Sequence, residues 1–124
     1  MQLAGKIALV TGAGRGIGKA IAIGFARAGA DIIAVSRTLA EIEETVRTAQ
    51  IAGTRARAIQ ADVSRLEDVE RIAQQVRSHF GRLDVLVNNA ALRMNHLGKK
   101  DSYYIPFVDL TVDDWDSAIN VNLR

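Results

Sequence analysis

The chain has 124 residues, 48% hydrophobic and 24% charged, a balance ordinary for a single globular domain and outside the range of disordered chains. Its 16 basic and 14 acidic side chains leave a net charge of +2, too small and too dispersed an excess to argue for nucleic acid or an anionic membrane surface as partner. There is no cysteine for a disulfide framework, a thiolate metal site or a cysteine nucleophile, and no membrane-length apolar run or signal-peptide pattern, so the expectation is a cytoplasmic protein.

In chain order, Ile7, Ala8, Leu9 and Val10 form a short apolar run of buried-strand type, followed by TGAGRGIG at Thr11 to Gly18 and by helical spacing from Lys19 to Ala28. A strand, a glycine turn and a helix open a βαβ unit. There the turn sits where open α/β sheets bind ligands, with the positive end of the helix dipole facing outward, which makes a phosphate seat. Gly12 permits the sharp turn, Gly16 removes a Cβ that would keep a pyrophosphate off the backbone, and Gly18 lets the helix pack closely on the strand. The spacing is GxxxGxG rather than GxGxxG, because position 17 is Ile. Taken alone, it also fits a glycine-rich turn without a ligand.

The first helix is expected from Arg15 or Gly16 to Ala28, with Ile17, Ile21 and Phe25 on its buried face and Gly29 as its stop. Asp31 to Ser36 reads as a strand buried on both sides, and Leu39 to Ala52 as a helix with Leu39, Ile42, Val46 and Ala49 facing the core. Ala56 to Ala61 is a third strand of weaker pattern. A third helix follows a capping box of Ser64 and Glu67 and shows Val69, Ile72, Val76 and Phe80, and Leu83 to Val87 is the fourth strand. This alternation predicts an α/β fold, a doubly wound parallel sheet in three layers with strand order 3-2-1-4. Residues just past the strand ends should line the ligand site: Ser36 and Arg37, Asp62 and Val63, and Asn88 to Ala91.

With these motifs in hand, the sequence resembles the short-chain dehydrogenase/reductase family in four ordered places: TGAGRGIG, Asp62 with Val63, NNAA at 88 to 91, and WDSAINVNL from Trp115 to Leu123. The resemblance implies a Rossmann-type fold, a nicotinamide cofactor, and hydride transfer between that cofactor and an alcohol or carbonyl carbon of a small molecule. It implies cofactor contacts from Thr11, Gly12, Gly14, Arg15, Gly16, Ile17 and Gly18. It gives Asp62 the adenine amino group, while Val63 packs on the ring or offers its backbone. The side-chain amides of Asn88 and Asn89 hold loop backbones and ribose hydroxyls, and Ala90 and Ala91 complete the cofactor-binding stretch, with Ala91 standing where the family usually has glycine and the backbone approaches the ribose. Asn122 takes the place of the helix asparagine of the catalytic group, which supports a water linked to the catalytic lysine. Asp62 as a helix-entry residue, the asparagines as a turn and Asn122 as a structural amide are the competing readings.

Arg37 points to the cofactor. An acidic residue near the end of the second strand commonly binds the ribose hydroxyls of NAD, whereas here Ser36 and Arg37 stand there, with Arg15 as a second cation for a 2′-phosphate. The expectation is NADP(H), with NAD(H) the lesser cofactor. The polar segment from Leu92 to Leu110 reads as a substrate-side loop or an oligomer contact, and Thr111 as the cap of a further helix carrying Trp115, Ile119 and Leu123.

The family's tyrosine and lysine, spaced YxxxK, are absent: four residues after Tyr103 stands Phe107, and four after Tyr104 stands Val108. An unperturbed tyrosine, with a pKa of about 10, is a poor acid or base at neutral pH. The expectation is therefore a single dinucleotide-binding domain, 1–124, cut short after the fourth strand and the helix that follows. It would be the amino-terminal part of a longer, homo-oligomeric reductase and inactive by itself. A binding-only NADP(H) module is the alternative. A methyltransferase is more distant, disfavoured by the missing acid after the second strand and by NNAA. His79 and His96 are too isolated to suggest a metal site.

Overall fold

The computed structural model describes residues 2–89. Their elements are β1 (Ile7–Thr11), α1 (Gly16–Arg27), β2 (Asp31–Ser36), α2 (Leu39–Ile51), β3 (Ala56–Gln60), α3 (Leu66–His79) and β4 (Val85–Val87). The four strands are parallel in the order β3-β2-β1-β4, as the alternation of elements predicts. Ala90, Ala91, the 92–110 segment, the helix expected from Thr111 and Asn122 lie outside the described residues.

Alternate residues of the inner strands feed two separate cores, which is why β1 and β2 read as continuous apolar runs. Leu9, Ile33, Val35 and Ile59 pack with Val69, Ile72 and Val76 of α3 and with Leu83. On the opposite face Ala8, Val10, Ile32 and Ala34 pack with Ala22 and Ala26 of α1 and with Ile42, Val46 and Ala49 of α2. The layers are thus α1 and α2, the sheet, then α3. β3 has one partner strand among the described residues and alternates between covered and exposed positions, hence its weaker apolar pattern.

Four local expectations are corrected. The buried stripe of α1 is Gly18, Ala22 and Ala26, while Ile17 is 73% exposed and Ile21 and Phe25 are only part-covered. Small residues bring the helix axis close to the sheet and the larger ones flank the contact. Leu39, at the start of α2, is 39% exposed, and its place on the buried face is taken by Thr45. The Ser64–Glu67 capping box does not form: the N-cap of α3 is Arg65 with no side-chain cap bond. An Asx turn takes the Ser64 hydroxyl and N–H to Asp62 Oδ1, and Glu67 turns to the Arg65 guanidinium at 2.6 Å. Asp68 does the reaching back instead, accepting the Asp62 N–H at 2.7 Å.

The fourth correction is that β4 starts at Val85 rather than Leu83. The Asp84 N–H still donates to Ile7 O at 2.9 Å, but the Ile7 N–H is met by the Asp84 carboxylate, also at 2.9 Å, so a side chain replaces the backbone ladder there.

Candidate functional site

The loop between β1 and α1 is built by backbone conformation. Gly12 and Gly16 adopt φ of 63° and 61°, the left-handed region that side chains disfavour. A Cβ on Gly16 would meet nothing within 4 Å and would project into open space before the first turn of α1. That turn has neither a side-chain cap nor an acidic residue. An uncapped helix start below an open glycine turn fits an anion such as a pyrophosphate, since the first N–H groups of a helix lack intrahelical partners. Gly18 serves packing. A Cβ there would collide with the Gly12 carbonyl oxygen and come within 2.5 Å of Asn89 Nδ2. Gly14 is also a close-approach position, because a Cβ would lie 2.8 Å from Glu41 Cβ.

Two buried threonines hold this loop. Thr11, at the end of β1, accepts the Asn89 N–H at 2.9 Å on its hydroxyl, which lies 3.4 Å from both Val87 O and Asn88 Oδ1. Asn89 Nδ2 makes a long 3.5 Å contact to Gly12 O. The asparagine pair therefore ties the end of β4 to the glycine turn. Thr45, absent from the sequence-based site, is fully buried on α2 and donates to Ala13 O at 2.9 Å, while the Ala13 N–H bonds Val35 O. A hydroxyl between Ile42 and Val46 on a core-facing helix was the available signal, since a buried polar group requires a partner.

At the end of β2, Ser36 Oγ accepts the Thr38 N–H at 3.0 Å and turns the chain into α2. Arg37 is exposed; its carbonyl accepts from Gln60 Nε2 at 3.0 Å, and its guanidinium forms no ion pair among the described residues. Arg15 is likewise exposed and without an ion pair among them. Beside Arg37 lies an open depression of about 260 Å³, lined also by Gln60, Ala61, Asp62, Asp68 and Arg71. Asp62 borders it with Oδ1 committed to Ser64. The Val63 side chain packs toward the core under α3, which leaves its backbone as the group on offer. Arg71 closes the far side, donating to Gln60 O at 2.6 Å and pairing with Asp68 at 3.5 Å.

A profile described as short chain dehydrogenase matches residues 6–124, and the chain belongs to this family. It is 40% identical over 125 aligned residues to a hydroxynaphthalene reductase-like protein of Metarhizium majus, covering 99% of this chain and 43% of that protein. It is 42% identical to versicolorin reductase 1 of Dothistroma septosporum, covering 99% and 44% respectively. The chain thus spans less than half the length of these curated relatives. Among solved structures, L-sorbose reductase from Gluconobacter frateurii, complexed with NADPH and L-sorbose, aligns with a TM-score of 0.79 at 33% identity, covering 96% of this chain and 48% of that one. An NAD+-bound xylitol dehydrogenase aligns with a TM-score of 0.71 at 34% identity, covering 73% and 35%. Family neighbours therefore use either dinucleotide.

Proposed function

We propose that the chain is the dinucleotide-binding portion of an NADP(H)-preferring oxidoreductase acting on a small alcohol or carbonyl compound. The observation that carries this is the uncapped start of α1 beneath the left-handed Gly12 and Gly16, an anion seat at the carboxyl ends of parallel strands. The bound nicotinamide would supply or accept the hydride. This chain's residues do the holding. Thr11 to Gly18 cradle the pyrophosphate, the depression at Asp62 receives the adenine with the Val63 backbone beside it, and Asn88 to Ala91 border the ribose on the nicotinamide side. The exposed Arg37 and Arg15 attract a 2′-phosphate. The NADPH complex of the sorbose reductase and the reductase names of the curated relatives support this reading.

Asn122 is proposed as the helix asparagine of the catalytic group. The 124 residues contain no tyrosine followed four residues on by lysine, so by themselves they are proposed to bind the dinucleotide without turning it over. The oxidoreductase is proposed to be a cytoplasmic homo-oligomer. A charge-assisted hydrogen bond contributes about 1.5–3 kcal/mol, so Arg37→Asp should weaken NADP+ binding roughly ten- to hundredfold and leave NAD+ binding nearly unchanged. Titration calorimetry with both dinucleotides reads this directly. An unaltered preference would remove Arg37 from the site, and NADPH oxidation by the purified 124-residue chain would overturn the binding-only role given to it.

A further inference from the structure

The glycine turn meets α2 as well as the strands. The direction in which a Gly14 side chain would point is occupied by Glu41 Oε1, 3.0 Å from that Cβ position, and by Ser36 Oγ, 3.4 Å from it. A carboxylate and a hydroxyl thus converge on one point against the turn, beside the end of β2. That is where sites of this architecture read the adenosine ribose. Glu41 is half-buried in the first turn of α2 and forms no ion pair among the described residues. By contrast Asp31, Asp68 and Asp84 all stand within 4.0 Å of an arginine nitrogen. The helix dipole favours an acid at that turn, so the carboxylate has a reason to stay without a cation partner.

We propose that Glu41 is a specificity-determining residue that opposes Arg37. Its carboxylate repels the doubly charged 2′-phosphate of NADP and tolerates the 2′-hydroxyl of NAD, for which it is a hydrogen-bond acceptor. Discrimination between the two dinucleotides is then a balance of cations on the exposed rim against one anion beneath it, rather than the product of Arg37 alone. This inference rests on the dinucleotide reading given above. It adds to that reading a residue on a different element whose effect has the opposite sign.

The test is the ratio of NADP+ to NAD+ affinity, measured by titration calorimetry on the unsubstituted protein, Glu41→Gln and Glu41→Lys, with thermal melting of each. Removing the charge in Glu41→Gln should raise the ratio in favour of NADP+ roughly three- to tenfold, less at high salt, and Glu41→Lys should raise it further. If Glu41 serves only α2, both variants melt earlier while the ratio stays put; that outcome overturns the proposal and leaves the dinucleotide site standing. If the unsubstituted protein binds neither dinucleotide, the site itself falls and this inference with it.

Discussion

At the amino ends of the strands, charged side chains find their partners within the chain. Asp31 accepts the Arg55 backbone N–H at 3.0 Å and its guanidinium at 2.9 Å, and that guanidinium also lies 4.8 Å from the centre of the Phe80 ring. Asp84 takes the Ile7 N–H and pairs with Arg82, which in turn donates to Gly5 O. At the carboxyl ends of β1 and β2 the tethers are neutral: the Thr11 hydroxyl to Asn88 and Asn89, Thr45 to Ala13, Ser36 to Thr38. The charges there, Arg15, Arg37 and Glu41, form no ion pair among the described residues. One end of the sheet closes on itself; at the other, uncharged groups brace β1 and β2 and leave Arg15 and Arg37 exposed, while the Asp68–Arg71 pair belongs to the end of β3. Such an end can meet a charged ligand without first breaking internal ion pairs.

The largest expected disruption of this contrast is Gly18→Ala. The added methyl cannot coexist with the Gly12 carbonyl, so α1 must move off β1; we expect about 3 kcal/mol of lost stability in urea titration and loss of dinucleotide binding together. Thr45→Val tests a neutral brace. It leaves the Ala13 carbonyl unpaired in a buried place, at about 1–3 kcal/mol, and should weaken NADP+ binding severalfold, whereas Thr45→Ser retains most of both. An equal loss of stability in Thr45→Ser would show that the methyl group, and not the hydroxyl, matters.

Asp84→Asn tests the opposite end and should cost about 1–2 kcal/mol without altering dinucleotide affinity. Burial pushes the Asp84 carboxyl up, but the Arg82 hydrogen bond, the Ile7 N–H and the charges of Arg82 and Lys6 together hold it below the ordinary value of 3.8. A carboxyl whose folded value is depressed contributes stability fully above its unfolded pKa of about 4, and that contribution is lost as the pH falls through the folded value. The unsubstituted protein should therefore lose more stability than Asp84→Asn on acidification below about pH 4, and parallel pH profiles of urea midpoints would refute this. The smallest effect is expected for Glu67→Gln. Among the described residues Glu67 pairs only with the exposed Arg65 and takes no part in capping α3, so the melting temperature should stay unchanged; a clear drop would restore the capping box.

The order of elements and the strand order were legible because hydrophobic period and glycine punctuation are local signals: Ile32 to Val35 can only be a strand covered on both sides, and Gly53 and Gly81 follow the ends of their helices. Errors arose where two local signals competed. Ser64 followed three residues later by Glu67 satisfies the rule for a capping box, but Asp62 two residues earlier captures the serine first, and Asp68 supplies the return bond. Ile17, Ile21 and Phe25 carry the stronger apolar period, but Gly18, Ala22 and Ala26 permit the closer approach, and helix packing on a sheet rewards proximity.

The sequence by itself determined the alternating α/β architecture, the turn at Thr11 to Gly18 and the basic residue after β2, because each is written in neighbouring residues. The tertiary structure decided what those residues meet: Thr45 beneath Ala13, Glu41 and Ser36 converging on Gly14, and Asp84 completing the ladder of β1. These contacts join positions 22 to 77 residues apart along the chain, from Gly14 and Ser36 to Ile7 and Asp84. A residue's partner across such a gap is set by how the layers stack and by which small side chains let them approach, and no local pattern encodes that.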